Sequence, residues 1–357
     1  MPHPEIDNQT PFTFEPLFIA NEDGRPIVAP IVRATFDVGI TGEVSLAEEQ
    51  DPVNFEGEYY GEPGESSYRY EPETAFVKPS TDVVLLGHAY APNLGTDQVD
   101  VEFRVGPVGK TVRVSGDRYV LRNGGMSAPT PFEMMPLTYE RAFGGWDRTA
   151  DDPEHHSCEP WNPVGVAFKT PQGPVYEGEP LPNLEDPDDP LKAVGGWCRP
   201  TGFGFVAPNW QPRVSFAGTY DEAWTNNRAP LLPKDFDRRF FNAASYGLVA
   251  PSYLRGDEAV LVRQATPEGY WEFSLPGVAN PHCLIATKFG ADRELYANLD
   301  TVIVDADARR LIMIWRCYTE LWDGPLDVKA ITVRCENMSL PADATMVAAG
   351  AGAPSAY

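Results

Sequence analysis

The chain has 357 residues, 42% of them hydrophobic, which is enough for a sizeable core at a length where one core often divides into two. Its 52 acidic side chains outnumber 28 basic ones, and the formal charge of -24 repels phosphates and anionic headgroups, so nucleic acid and membrane surfaces are set aside as partners. No run reaches the 18 or more apolar residues of a membrane span, and the opening MPHPEIDNQT lacks the basic and apolar regions of a secretory signal. A cytoplasmic protein is expected. Five widely spaced cysteines, Cys158, Cys198, Cys283, Cys317 and Cys335, fit a reduced compartment.

In chain order, the first elements are strands. IVRATFDV, DVVLLGHAYA, QVDVEFRV, KTVRVSG and RYVLR are rich in Val, Leu and Tyr, and Val99, Val101, Phe103 and Val105 alternate with polar residues. GPVG and Ser115-Gly116-Asp117 supply turns between them, so successive hairpins predict an N-terminal β-domain over residues 11–122. A loop-rich middle follows over 123–213, dense in Pro and Gly. Its stretch from Asp147 to Pro190 carries 11 acidic side chains against two basic ones, Arg148 and Lys169. Disordered segments are poor in aromatics, whereas Trp146, Trp161, Trp197 and Trp210 recur here, which predicts ordered coil.

In TYDEAWTNN, Thr219 and Glu222 have the spacing of a capping box, so a short helix is expected near 219–227. VLVRQ, YWEFSL, CLIATKFG, YANLDTVIVD, RLIMIWRCY and VKAITVRC then read as strands, with Asp305-Ala-Asp307 as a turn. They predict a C-terminal β-domain over 214–337, followed by an Ala/Gly-rich, flexible tail over 340–357. The fold class is therefore mainly β: two antiparallel β-sandwich-like domains joined by a loop-rich, aromatic and acidic middle with a short helix.

Chemistry-bearing patterns are few. His155, His156, Cys158 and Cys198 are metal-ligand types, but they form one loose group without the paired short spacings of a structural zinc site. Cys283, Cys317 and Cys335 lie in apolar strand patterns as small hydrophobes. No G-x-S-x-G elbow, phosphate-binding G-x-x-x-x-G-K-[ST] loop or H-E-x-x-H helix occurs, and His88 and His282 read as structural. Gly202 to Ala207 imitates part of a dinucleotide fingerprint, but Pro208 stands where a helix would continue. Paired carboxylates remain as an enzymatic option, with Glu62 or Glu65 and Asp221 or Glu222 as candidates for glycan hydrolysis. No catalytic, cofactor-binding or metal-binding residue is assigned.

Longer motifs carry a resemblance. YYGEPGESS (Tyr59 to Ser67), MPLTYERAFGGWD (Met135 to Asp147), NPVG (Asn162 to Gly165), LPNLEDP (Leu181 to Pro187), AGTYDEAW (Ala217 to Trp224), LLPKDFDRRFFNAA (Leu231 to Ala244) and LRGDE (Leu254 to Glu258) occur in this order. With them the chain, from about Pro11 to Cys335, resembles the family catalogued as domain of unknown function 2169. The resemblance implies a bacterial adaptor or chaperone, not an enzyme and without a cofactor, that stabilises a type VI secretion effector. It also implies loading of that effector onto a spike-tip protein of the PAAR or VgrG kind. Alternatives are a carboxylate-dependent glycan hydrolase and a structural component of the secretion apparatus.

Within the motifs, Tyr59, Tyr60, Gly61, Glu62, Gly64, Arg141, Gly144, Gly145, Asp221, Trp224 and Arg238 are expected as scaffold. The glycines serve positive φ or close approach, and the arginines pair with carboxylates. Trp146, Asp147, Trp161, Asp186, Asp188, Asp189 and Trp197 are expected to form the partner-binding face, with pairing of a partner strand to a sheet edge as the other route.

Overall fold

A computed structural model of the protein describes residues 4–171 and 173–338. The expected tail over 340–357 lies outside the described residues. The chain is mainly β, and the described residues hold one α-helix, Glu222–Asn227.

Three sheets dominate. The largest orders its strands Thr13–Ala20, Pro26–Val38, Arg310–Arg316, Asn298–Asp305 and Asp82–Leu86; the last two run parallel and the other neighbours antiparallel. The second, wholly antiparallel, orders Leu184–Glu185, Val108–Ser115, Gln98–Val105, Ala259–Arg263 and Tyr270–Ser274. The third runs Glu5–Asn8, Val328–Arg334, His282–Thr287, Arg293–Tyr296, its first pair parallel.

This pairing corrects the sequential division into β-domains at 11–122 and 214–337. Each of the three sheets takes strands from both ends of the chain, and one buried cluster joins Phe36 and Trp315 of the first sheet, Phe103 and Trp271 of the second, and Ile285 and Val333 of the third. The physical reason is alternation. Gln98–Val105 buries Val99, Val101, Phe103 and Val105 on one face, and Ala259–Arg263 buries Val260 and Val262 beside them, so pairing the two strands extends one apolar face. The middle segment also joins this core: the Phe203 ring meets Phe103 edge-on at 6.2 Å, and Trp210 meets Tyr139 at 5.4 Å. Phe203 and Phe205 are buried, so the fingerprint-like stretch is core packing.

Two local expectations shift. The helix is capped by Asp221, whose Oδ1 accepts from Trp224 N at 2.8 Å, while the expected cap Thr219 donates instead to Asp235. RYVLR forms only isolated bridges, Tyr119 with Pro180 and Val120 with Met126.

Charged pairs cross the interior. Arg316 Nη1 and Asp300 Oδ2 lie 2.6 Å apart with side chains 1% and 2% exposed. Lys78 meets Asp82 at 2.7 Å, Arg213 meets Glu71 at 2.5 Å, and Arg33 pairs with Glu73. Asp82 also accepts from Asn242 Nδ2 and Ala243 N, which ties the segment after the LLPKDFDRRFFNAA arginines to the largest sheet. Buried charges are tolerated only when paired in this way.

Candidate functional site

The motif Phe143 to Asp147 folds as two short strand pairings. Phe143–Gly144 runs parallel to Val166–Ala167, and Trp146–Asp147 runs antiparallel to Ser157–Cys158. Between them the chain passes through Gly144 at φ 148 and Gly145 at φ 94; a Cβ there would sit 2.1 Å from Asn162 O and 2.2 Å from Gly165 O, respectively. These two glycines permit a close approach of backbone to backbone. Asn162 is fully buried and donates through Nδ2 to Tyr139 O at 2.8 Å and Phe143 O at 2.9 Å, so the NPVG motif fastens this loop to the preceding one.

The fastening presents tryptophans. Buried Glu159 accepts from Trp197 Nε1 at 3.0 Å and from Trp161 N at 3.2 Å, while its own N donates to Gly145 O at 3.0 Å. Trp146, next to that glycine, lies under the Arg148 guanidinium at 5.2 Å. Trp146 is 47% exposed and Trp197 55% exposed, and Trp161 is half-buried. The structure thus ties the Trp197 indole and the Trp161 backbone to one buried carboxylate, and the peptide N–H of the same residue holds Gly145, next to Trp146.

It does not treat the four aspartates alike. Asp147 is buried and accepts from Thr149 N and Oγ1 and from Thr170 N and Oγ1, at 2.5 to 3.1 Å. Burial acts to raise its carboxyl, but these hydrogen bonds outweigh burial and hold it well below the usual carboxylate range. As a partner contact, Asp147 is corrected to an internal anchor. Asp186 and Asp189 are half-buried turn builders, accepting from Asp188 N and Arg199 N, and only Asp188 is exposed.

Arg141 reaches Asp117 and Asn183 at 3.3 Å each; Arg238 reaches Glu22 at 2.6 Å and Tyr318 at 2.9 Å. Trp224 donates to Leu231 O at 2.8 Å, and Gly64 takes φ 81. Gly61 is corrected: it has no positive φ, and a Cβ would meet only the Ser66 side chain at 3.4 Å. Glu62 and Glu65 close an exposed turn and Asp221 is a helix cap, so the carboxylate candidates stand on separate loops in turn and capping roles. His155 leans on Asp152 at 3.6 Å, whereas Cys198 sits in a small apolar cluster with Phe143 and Leu191 that pushes its thiol up to about 12.

A second feature was not anticipated. Tyr59, Tyr60 and Gly61 line a pocket of about 560 Å³ together with Glu140, Asp305 and Asp307. Gly87, at φ 136, separates strand Asp82–Leu86 from His88–Tyr90 and brings His88 Nδ1 within 2.7 Å of Asp307 Oδ2. That hydrogen bond raises the His88 value against the opposing effect of burial. Arg69 lies between Glu58 at 3.0 Å and Asp305 at 3.4 Å, and Glu140 accepts from Ser67 N at 2.6 Å and Ser67 Oγ at 2.9 Å. Burial raises the Tyr60 hydroxyl as well. Signals for this pocket existed only as separate fragments, a Tyr-Tyr-Gly turn, a Glu-Arg pair and an Asp-Ala-Asp turn, more than 60 residues apart along the chain.

Comparison with known proteins places the chain. A family model described as "Uncharacterized protein conserved in bacteria (DUF2169)" matches residues 23–316, and the chain belongs to that family. No curated protein and no solved structure matches it. Among the described residues, no helix is long and apolar enough to cross a membrane.

Proposed function

We propose that the protein is a non-catalytic adaptor or chaperone that holds a type VI secretion effector and assists its loading onto the secretion spike, through the face built by Trp146, Trp161 and Trp197. The observation that supports this reading is the preorganisation of that face. Two exposed indoles are held, Trp197 by a hydrogen bond to Glu159 and Trp146 by the Arg148 guanidinium, the latter on a loop that Asn162 and Asp147 lock from inside. Exposed aromatics held in this way lose little entropy on binding, and buried Trp anchors dominate protein interfaces. Arg148 supplies a polar edge beside Trp146.

The effector and the spike-tip protein are the partners that the family resemblance implies. Affinity purification of the tagged chain from its native host at low salt tests the reading. A stoichiometric effector or spike-tip partner, rebinding after both proteins are purified, is the expected outcome. Recovery of the chain alone, together with turnover of a glycan by the pure protein, would overturn it in favour of a hydrolase.

A further inference from the structure

The pocket beside Tyr60 is built by four separated segments, and its charges do not balance. Glu58 comes from the arm that starts the Tyr-Tyr-Gly motif, Glu140 from the Thr-Tyr-Glu-Arg turn, and Asp305 and Asp307 from the end of strand Asn298–Asp305. Against these four carboxylates stand one guanidinium, Arg69, and one imidazole, His88. Arg69 is shared between Glu58 and Asp305, and His88 is taken by Asp307. Among the described residues Glu140 is held only by the neutral donors of Ser67, which fix its direction without cancelling its charge. A concave wall with surplus negative charge focuses the field of a protein that already carries -24.

Shape and lining narrow the occupant. A space of about 560 Å³ lies within the range of organic ligand sites, and the carboxylates do not gather into a set of three that could hold a metal ion among the described residues. The Tyr60 ring, 41% exposed, forms part of the wall, and Tyr59 behind it is fixed by stacking on Tyr68 at 4.2 Å with their hydroxyls 2.6 Å apart. A carboxylate wall with an aromatic face suits a guanidinium or alkylammonium group, which gains a charge-assisted hydrogen bond and a cation–π contact together.

We propose that this pocket binds an organic cation: the guanidinium or ammonium end of an arginine or lysine side chain, or the same group on a free polyamine. The site is separate from the tryptophan face and does not depend on it.

The test is calorimetric titration of the full-length protein at low salt with three probes: acetyl-Gly-Arg-Gly-amide, its citrulline twin and spermidine. The arginine peptide, spermidine or both should bind at least about tenfold more tightly than the neutral citrulline peptide. Glu58→Gln and Asp307→Asn should each weaken that binding about fivefold or more. W146A/W197A should leave it unchanged, so the failure of one site does not stand for failure of the other. Preference for the arginine peptide identifies a protein side chain as the natural occupant; preference for spermidine identifies a free polyamine. Equal binding of the arginine and citrulline peptides overturns the proposal, and so does cation binding that survives both substitutions. Glu58 and Asp307 are partly exposed, and a melting curve for each variant confirms that a loss of binding is not a loss of fold.

Discussion

Replacing Arg316 with Met is the sharpest test of how the shared core is held. Arg316 and Asp300 are paired at 2.6 Å on the adjacent strands Arg310–Arg316 and Asn298–Asp305, with almost no exposure. Asp300 Oδ1 also accepts from Thr301 Oγ1 at 2.9 Å, so the carboxylate keeps one neutral donor when the guanidinium is removed. Burial already pushes the Asp300 carboxyl up, and the Arg316 charge is the first influence opposing it. Leaving one member of such a pair alone costs about 3–5 kcal/mol. For a chain of this length the unfolding entropy is about 0.7 kcal/mol per kelvin, so R316M should melt roughly 4–7 °C below the parent. Differential scanning calorimetry at neutral pH reads the shift directly. The double variant D300N/R316M removes both charges, retains an acceptor for Thr301, and should recover at least half of the loss. If R316M melts within a degree of the parent, or the double variant is no better than the single one, the pair does not hold these strands and the reasoning fails.

Two further outcomes follow from the two sites. Asp147→Ala removes the acceptor of four hydrogen bonds and should cost about 2–3 kcal/mol, read as a lower melting temperature. Because the folded Asp147 value is depressed, its contribution is present above the ordinary aspartate value of about 3.9 and lost as pH falls below it; Asp147→Asn should therefore flatten the acid side of the stability curve. His88 has the opposite sign. Its raised value means that the His88–Asp307 contribution is complete below about 6.5 and disappears as pH rises through the folded value. An NMR titration should place the His88 midpoint above 6.5, and Asp307→Asn should bring it down; no movement would remove the pair from the account.

Local chemistry made much of the fold legible. Alternation in Gln98–Val105, the apolar run in Arg310–Arg316 and the turn at Asp305-Ala-Asp307 each announced its element, because strand burial and turn geometry are written in neighbouring residues. The helix near Trp224 was visible too, but two residues carry competing caps, and Asp221 prevails while Thr219 is engaged by Asp235. Strand order was not visible. Pairing Asp82–Leu86 with Asn298–Asp305, or Gln98–Val105 with Ala259–Arg263, joins segments that share only an apolar face, and any two such faces look alike in sequence.

The tryptophans of the candidate face stood out because aromatics are unusual in an acidic, proline-rich stretch, whereas the burial of Asp147 depends on Thr149 and Thr170 closing over it. Glu159, which organises that face, looked like one more acidic residue of the stretch. His88 and Asp307 meet only through the parallel pairing of distant strands and the kink at Gly87, so the pocket had no continuous signature.

The most direct test of the central claim is the affinity of the purified chain for the partner recovered from its native host, compared between the parent and W146A/W197A. If the tryptophan face is the docking surface, the variant should lose about thirtyfold or more in affinity while its melting temperature stays within a few degrees. Unchanged affinity in a cooperatively folded variant would contradict it.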